Sequence, residues 1–280
     1  MIKKLFTILF GLFVLTSLSH AETYKVYVAY APGSPSDIYI RKIFDTAQKY
    51  NNDNYVVVNK PGADQMVGYQ AFIEESKTNP NVIFSSGTAS HVSSYLIHPE
   101  LKQDPLGETR SIIALTKVSY FLVGAVDSPF NSIKDIKGKV NIGVGNASSA
   151  ALLKLIDFNA DVQLIPYKSD NDILMSVLSK EIQIGSVLSI NNLLKVHKDR
   201  VKVIGHLDDF GIVGAVGIHA PKSMSDDRAK QLNATLNQVF KDADFKKWWT
   251  DTYGLPLVGG TPDVYDRLIN NFKQKLLSKQ

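Results

Sequence analysis

The chain contains no cysteine in 280 residues, which excludes disulfide frameworks, thiolate zinc sites, iron–sulfur clusters and cysteine nucleophiles. An excess of one charge is also missing. The 31 Lys+Arg and 27 Asp+Glu give a net charge of +4, spread too evenly for the basic stripe of a nucleic-acid binder. Gly143-Val-Gly-Asn-Ala-Ser-Ser149 lacks both the Lys-Ser/Thr ending of a phosphate loop and the spacing of a dinucleotide fingerprint. There is no Gly-x-Ser-x-Gly elbow and no His-Glu-x-x-His. His91, His98, His197, His206 and His219 show no metal-ligating spacing. His91 and His98, near Ser85, Ser86 and Asp104, have no fixed relay between them and are expected in surface or capping roles rather than in a triad. No cofactor and no metal is expected. A composition of 44% hydrophobic and 21% charged residues describes a globular chain, and its length favours two lobes.

The longest apolar run, Leu5–Leu18, falls short of the ~20 residues that cross a bilayer. It follows Lys3 and Lys4 and precedes Ser19-His20-Ala21, the layout of a secretory signal. Residues 1–21 are therefore expected to direct export to the periplasm, with the mature chain starting near Glu22. No cysteine follows the run to carry a lipid.

Beyond it, strand and helix signals alternate. Tyr24–Tyr30, Tyr55–Val58 and Asn81–Phe84 read as strands, with helices around Ile40–Ala47 and Val67–Lys77 between them. The order returns with strands at Val140–Val144, Val162–Ile165 and Ile182–Leu188 and helices at Ser148–Phe158 and Asp170–Lys180. Two βαβαβ units predict an α/β fold with two mostly parallel sheets flanked by helices. Ile112–Val126 and Ile212–Ala220 bracket the second unit and are placed as the crossings, so the lobes are expected at 22–118 with 217–280, and at 119–216. Ala229, Leu232, Leu236, Val239 and Phe240 form one helical stripe. Leu268, Ile269, Phe272 and Leu276 form another, behind a Thr261-Pro262 start. Trp248-Trp249 reads as a core anchor.

In open parallel sheets the ligand sits beyond the carboxyl ends of the strands. The loops there are small and hydroxylic: Tyr30–Asp37, Asn59–Gln65, Ser85–His91, Gly143–Ser149, Pro166–Asp170 and Leu188–Asn191. Each precedes a helix start, where unpaired N–H groups suit an anion. Ser34, Ser36, Thr88, Ser148 and Ser169 also serve as helix caps, and Asp37 is equally at home in a first turn.

At these loops the sequence resembles the substrate-binding proteins of tripartite tricarboxylate transporters, the Bug family. Tyr30-Ala-Pro-Gly-Ser-Pro-Ser-Asp37 is similar to the family's Pro-Gly-Gly-x-x-Asp loop, and Val56-Val-Val-Asn-Lys-Pro-Gly-Ala63 through Gly68 to its Asn-Arg-Pro-Gly-Ala-Gly-Gly stretch. Ile165-Pro-Tyr-Lys168 and Gly259-Gly-Thr-Pro262 add to the match. Ser34-Pro35, Asp64-Gln65 and Ser169-Asp170 depart from the family's glycines, and Pro35 removes an N–H donor. The resemblance implies a monomeric, two-lobed, non-catalytic periplasmic receptor with a hinge at two crossover strands. Such a receptor closes on a small organic carboxylate, a di- or tricarboxylate, amino acid or aromatic acid. Its partner would be a membrane transporter of one small and one large multipass subunit. The expected binding residues are Tyr30, Ser34, Asp37, Asp64, Gln65, Ser86, Thr88 and His91 in the first lobe, with Asn146, Ala147, Ser148, Tyr167 and Ser169 in the second. An ionised Asp64 facing the pocket would favour an amino or hydroxy acid. Rival readings are a receptor for an ABC importer, a ligand sensor, and a secreted Ser/His hydrolase.

Overall fold

The computed structural model describes residues 21–93, 105–188 and 196–278. The expected export segment, apart from Ala21, lies outside them, as do His98 and Asp104. Two five-stranded sheets carry the chain. The first contains β1 (Thr23–Val28), β2 (Asn54–Asn59), β3 (Val82–Gly87), β4 (Thr109–Val118) and β10 (Gly214–Pro221), in the order β2-β1-β3-β10-β4. The second contains β5 (Tyr120–Ala125), β6 (Gly138–Val144), β7 (Ala160–Pro166), β8 (Ile184–Leu188) and β9 (Val201–His206), in the order β7-β6-β8-β5-β9. Each sheet holds three parallel strands, then an antiparallel one, then an edge. The repeated element order in the sequence thus becomes a repeated strand order. The antiparallel member, β10 in one sheet and β5 in the other, follows in the chain directly after the other sheet's edge strand.

The apolar run expected as one crossing breaks at Ser119, between β4 and β5. The second passage occupies residues 207–213. Residues 214–216 already pair with β4, Gly214 opposite Val118 and Val216 opposite Thr116, so the return to the first sheet comes earlier than the expected boundary after 216. Alternating burial in β10 cannot mark that point, because every residue of the strand is buried.

Seven helices of the described chain cover the sheets: α1 (Pro35–Ala47), α2 (Met66–Ser76), α3 (Ala147–Leu153), α4 (Asp170–Leu178), α5 (Asp226–Lys241), α6 (Ala243–Tyr253) and α7 (Pro262–Leu277), with a single helical turn at Pro105–Glu108 beside them. The stripe expected on α5 is buried in full. On α7, Tyr265, Ile269, Phe272 and Leu276 face inward and belong to one apolar cluster with Ala114 and Ala215 of the first sheet and Leu122, Val140 and Ile142 of the second. α7 packs chiefly on β4 and β10 of the first sheet, and the cluster continues from there into the second lobe. Among the described residues no helix is long and apolar enough to cross a membrane.

Close packing fixes one loop-bearing helix. A Cβ on Gly68 in α2 would lie 2.7 Å from the Cβ and 2.9 Å from the Cα of Ala29, and 2.9 Å from the Lys60 carbonyl. Backbone cannot yield as a side-chain end can, so Gly68→Ala is expected to cost about 1–3 kcal/mol. Urea unfolding with an unchanged midpoint would refute this.

Candidate functional site

Both passages between the sheets border a cavity of ≈ 50 Å³. Its polar wall comes from Tyr30, Thr88, Ser93, Ser119, Tyr120 and Ser148, and its apolar wall from Val118, Leu152, Leu188, Ile212, Val216 and Phe272. Residues of both lobes and both crossings thus meet at one point. A larger groove of ≈ 770 Å³ beside α5 and α7 belongs to the first lobe alone. Arg110 pairs there with Asp226 at 2.6 Å, Asp266 accepts from the Ser111 hydroxyl at 2.6 Å and Lys230 also lines it, but with one lobe alone forming it this groove makes a poorer site for a molecule held between lobes.

Of the expected binding residues, Tyr30, Thr88 and Ser148 line the cavity. A Cβ on Gly214 would stand 2.8 Å from the Thr88 hydroxyl oxygen, so glycine there makes room for Thr88. The Ser93 and Ser148 hydroxyls, each in a residue 1% exposed, have no hydrogen-bond partner among the described residues. A buried hydroxyl left unpaired costs about 1–3 kcal/mol. Such groups in a cavity wall are available to pair with a ligand or an ordered water.

Asp37 and Ser34 instead hold the first loop. The Ser34 hydroxyl accepts from the Asp37 N–H at 3.3 Å, capping α1 ahead of Pro35 at its first turn. The buried Asp37 carboxylate accepts from Gly33 N–H, Arg41 Nε and Asn59 Nδ2, all at 2.9 Å. Burial opposes its charge, but these bonds outweigh it and keep the carboxyl below the usual range. The Asn59 amide also donates to the Tyr30 carbonyl at 3.0 Å, joining the first two loops.

In the second loop Gly62, Ala63, Asp64 and Gln65 have φ of 128°, 43°, 48° and 76°. Three consecutive side-chain-bearing residues are left-handed, each costing about 1–2 kcal/mol relative to ordinary backbone. Asp64 and Gln65 occupy the positions where the Bug pattern has its glycine pair, which explains what that pattern's glycines provide. Asp64 is half-buried. Gln65 is buried, and its Oε1 has no partner among the described residues.

Ser86 and His91 are not at the cavity. Their Oγ and Nδ1 share a 2.6 Å hydrogen bond, and both residues are almost wholly enclosed, contrary to the surface or capping role expected for His91. The His91 ring stacks on His219 at 3.9 Å between centroids. Burial pushes His91 down to about 3 and, with the charge of His91 adding, holds His219 well below the ordinary histidine value. Neither His219 nitrogen has a partner among the described residues. Among the described residues this Ser–His pair is part of the interior.

In the second lobe, exposed Asn146 caps α3 by accepting from Ser149 N–H at 2.7 Å, and Ala147 opens the helix. Exposed Ser169 caps α4, accepting from Asp172 N–H at 3.2 Å. The Tyr167 ring lies over Gly143, with Cε2 3.2 Å from where a Cβ would be, and its hydroxyl is buried with no partner among the described residues.

The sequence reading missed Ser93, Ser119, Tyr120 and Asp170. Ser119-Tyr120 lies inside an apolar run whose break hydropathy does not mark. Asp170 had a legible signal, an acid at a helix start after Pro-Tyr-Lys. Its Oδ2 accepts from Leu188 N–H at 2.9 Å, and its Oδ1 lies 3.1 Å from a Cβ placed on Gly145. Burial raises the Tyr30 hydroxyl far above its usual range, with Tyr39, Tyr120, Asp170 and Asp64 adding to it. Burial raises Tyr120 likewise, opposed by a hydrogen bond with Asn146 and assisted by Asp170 and Asp64.

No family model matches the chain. A UPF0065 protein of Bordetella pertussis is 22% identical over 75% of this chain and 68% of its own length. A second UPF0065 protein, of Cupriavidus necator, is 27% identical over 59% of this chain, and the match spans about half of that relative, 52%. Among solved structures, a TctC solute-binding protein from Polaromonas superposes with a TM-score of 0.72 at 16% identity, covering 95% of this chain and 100% of that one. A Rhodopseudomonas palustris protein with adipate gives 0.73 at 14% identity, covering 92% and 97%. The periplasmic binding protein BugD gives 0.68 at 16% identity, covering 92% and 96%. The chain therefore has the two-lobed fold of the TctC and Bug periplasmic solute-binding proteins and is similar in sequence to two UPF0065 proteins.

Proposed function

We propose that this chain is a periplasmic substrate-binding protein that captures a small organic carboxylate between its lobes and delivers it to a tripartite tricarboxylate-type transporter of one small and one large multipass subunit. The observation that carries this reading is the cavity at the crossings, walled by both lobes and lined by Ser93 and Ser148, whose buried hydroxyls have no partner among the described residues. A ligand seated there touches both lobes when they are closed and mainly one when they are apart, so its binding energy favours closure. The adipate held by a neighbour of the same fold supports a carboxylate as the cargo. Binding without turnover is supported by the enclosure of the Ser86–His91 pair, which is 1% and 2% exposed. The export signal read in residues 1–21 supports the periplasmic location.

The test is a thermal-shift screen of the purified chain against mono-, di- and tricarboxylates, amino acids and aromatic acids. A true ligand at a hundred times its Kd adds about 2.7 kcal/mol, which raises the Tm by roughly 5 °C at this size. Ser148→Ala is expected to shrink that shift. No response to any compound, or chemical conversion of a bound one, would overturn the reading.

A further inference from the structure

Four residues converge on Glu22, the first residue after the segment read as an export signal. Its N–H donates to Asp53 Oδ1 at 3.0 Å, and its carbonyl accepts from Asn54 N–H at 2.7 Å, where β2 begins beside β1. Its carboxylate accepts from Asn81 Nδ2 at 2.7 Å and pairs with the Arg228 guanidinium of α5. Arg228 also donates to Asn81 Oδ1 at 2.7 Å. Asp53 is itself held by Asn51, whose Nδ2 donates to its Oδ2 at 3.1 Å and whose Oδ1 accepts from its N–H at 3.3 Å. Ala21, one residue earlier, is exposed.

This cluster is one cation short. Glu22 and Asp53 bring two carboxylates against one guanidinium, and Arg228 goes to Glu22. Among the described residues Asp53 accepts from neutral N–H groups and joins no ion pair. The nitrogen facing it at 3.0 Å is the atom that removal of the leader turns into a cation. Hydrolysis of the Ala21–Glu22 amide by water, catalysed by a leader peptidase, leaves a carboxylate on Ala21 and an amine on Glu22, which takes up a proton at neutral pH. Ser19-His20-Ala21 puts small residues where such a cut is made. With both partners ionised, Coulomb attraction adds to the hydrogen bond already in place.

We infer that the export leader is cut between Ala21 and Glu22 and that Asp53 receives the ammonium group this cut creates, a contact the uncut chain lacks. This deepens the export part of the proposed function and rests on it. Processing then does more than release the chain: it tightens the first lobe where the head of β1 meets the start of β2. An amine so paired titrates above its ordinary ~7.7–8.0. Its contribution is complete below that range and is lost as the pH rises through the folded-state value. Besides Glu22 and Arg228, the titratable groups at this spot are Tyr24 and Tyr55. Both are raised by burial, Tyr24 to about 12, and stay neutral meanwhile.

The test expresses the full chain with its own leader in a Gram-negative host, isolates the periplasmic product and measures its intact mass. The expected mass is that of residues 22–280. A periplasmic product starting at any other residue overturns the inference and leaves export in place. No periplasmic product at all overturns the export reading with it. A second arm compares the Glu22-start chain with a leaderless chain made in the cytoplasm and starting at Ala21, each with and without Asp53→Asn. That variant keeps one oxygen to accept from the residue-22 nitrogen and removes the charge. At pH 7 and low salt the Glu22 start is expected to melt about 1–3 °C higher, to lose that advantage in Asp53→Asn, and to lose it in the unaltered chain as the pH is raised to about 9.5. Equal melting temperatures for the two starts at pH 7, or an advantage that survives Asp53→Asn, overturns the inference. Should Asp53→Asn fail to fold, the comparison of the two starts across pH still decides, since an advantage unchanged at pH 9.5 also overturns it.

Discussion

Lowering the pH from 7 to 5 is expected to take about 2 kcal/mol from the stability of the folded chain through His91, with His219 adding to the loss in the same direction. In the unfolded chain each titrates near 6.5. Folded, His91 is held down to about 3 and His219 well below its ordinary value, in both cases first by burial. Between these limits the unfolded state binds protons that the folded state refuses, so stability rises with pH there and falls as acid is added. Above about pH 7 the contribution is complete. Below it, each histidine removes up to about 1.4 kcal/mol per pH unit. His219→Phe should halve the slope and, because both ring nitrogens lack partners among the described residues, should raise stability at pH 7 by about 1–3 kcal/mol. Urea titrations at several pH values measure both effects. An unaltered slope in the variant would show that the pair does not govern the acid response.

The second large effect is expected from Trp249→Ala. Trp249 is 1% exposed, donates from Nε1 to the Leu255 carbonyl at 2.6 Å, and meets the rings of Tyr39 and Tyr253 at 5.8 and 4.7 Å. Removing it leaves a cavity and an unpaired carbonyl, a loss of about 3–5 kcal/mol, or roughly 5–9 °C in Tm. The loss should also reach the binding loops, since the Tyr253 hydroxyl donates to the Pro35 carbonyl at 3.2 Å, at the start of α1. Trp248→Ala, which removes only a half-buried ring, serves as the comparison and should cost far less. Similar losses for the two would mean that the aromatic cluster does not anchor α6 as described.

Much of the architecture was legible because local signals agreed with it. The α5 stripe from Ala229 to Phe240, the Thr261-Pro262 start of α7 and the alternation of strand and helix all stand in the chain itself. Two features were not legible, and for one reason. Ile112–Val126 and Ile212–Ala220 are apolar and for the most part buried, so hydropathy neither marks the break at Ser119 nor shows that β10 begins by Gly214. The same limit applied to the site. Hydroxyl-rich turns could be found, but whether a serine caps a helix or faces a cavity depends on its rotation within the turn. Ser34, Asn146 and Ser169 cap, whereas Ser148, two residues after Asn146, lines the cavity. His91 was misread for another reason: a lone polar residue among small ones gives no hint that a second imidazole waits opposite.

The cavity floor is made from Val118, Ser119, Tyr120, Ile212 and Gly214, the points where the chain passes between the lobes. An axis through those points leaves its own neighbourhood nearly still when the halves swing. In the closure proposed above, a molecule resting there would stay near the pivot, while loops farther out on each half would travel more. Grip and motion are then divided between different parts: the pivot determines which shapes can rest, and the travelling rim determines how long they stay.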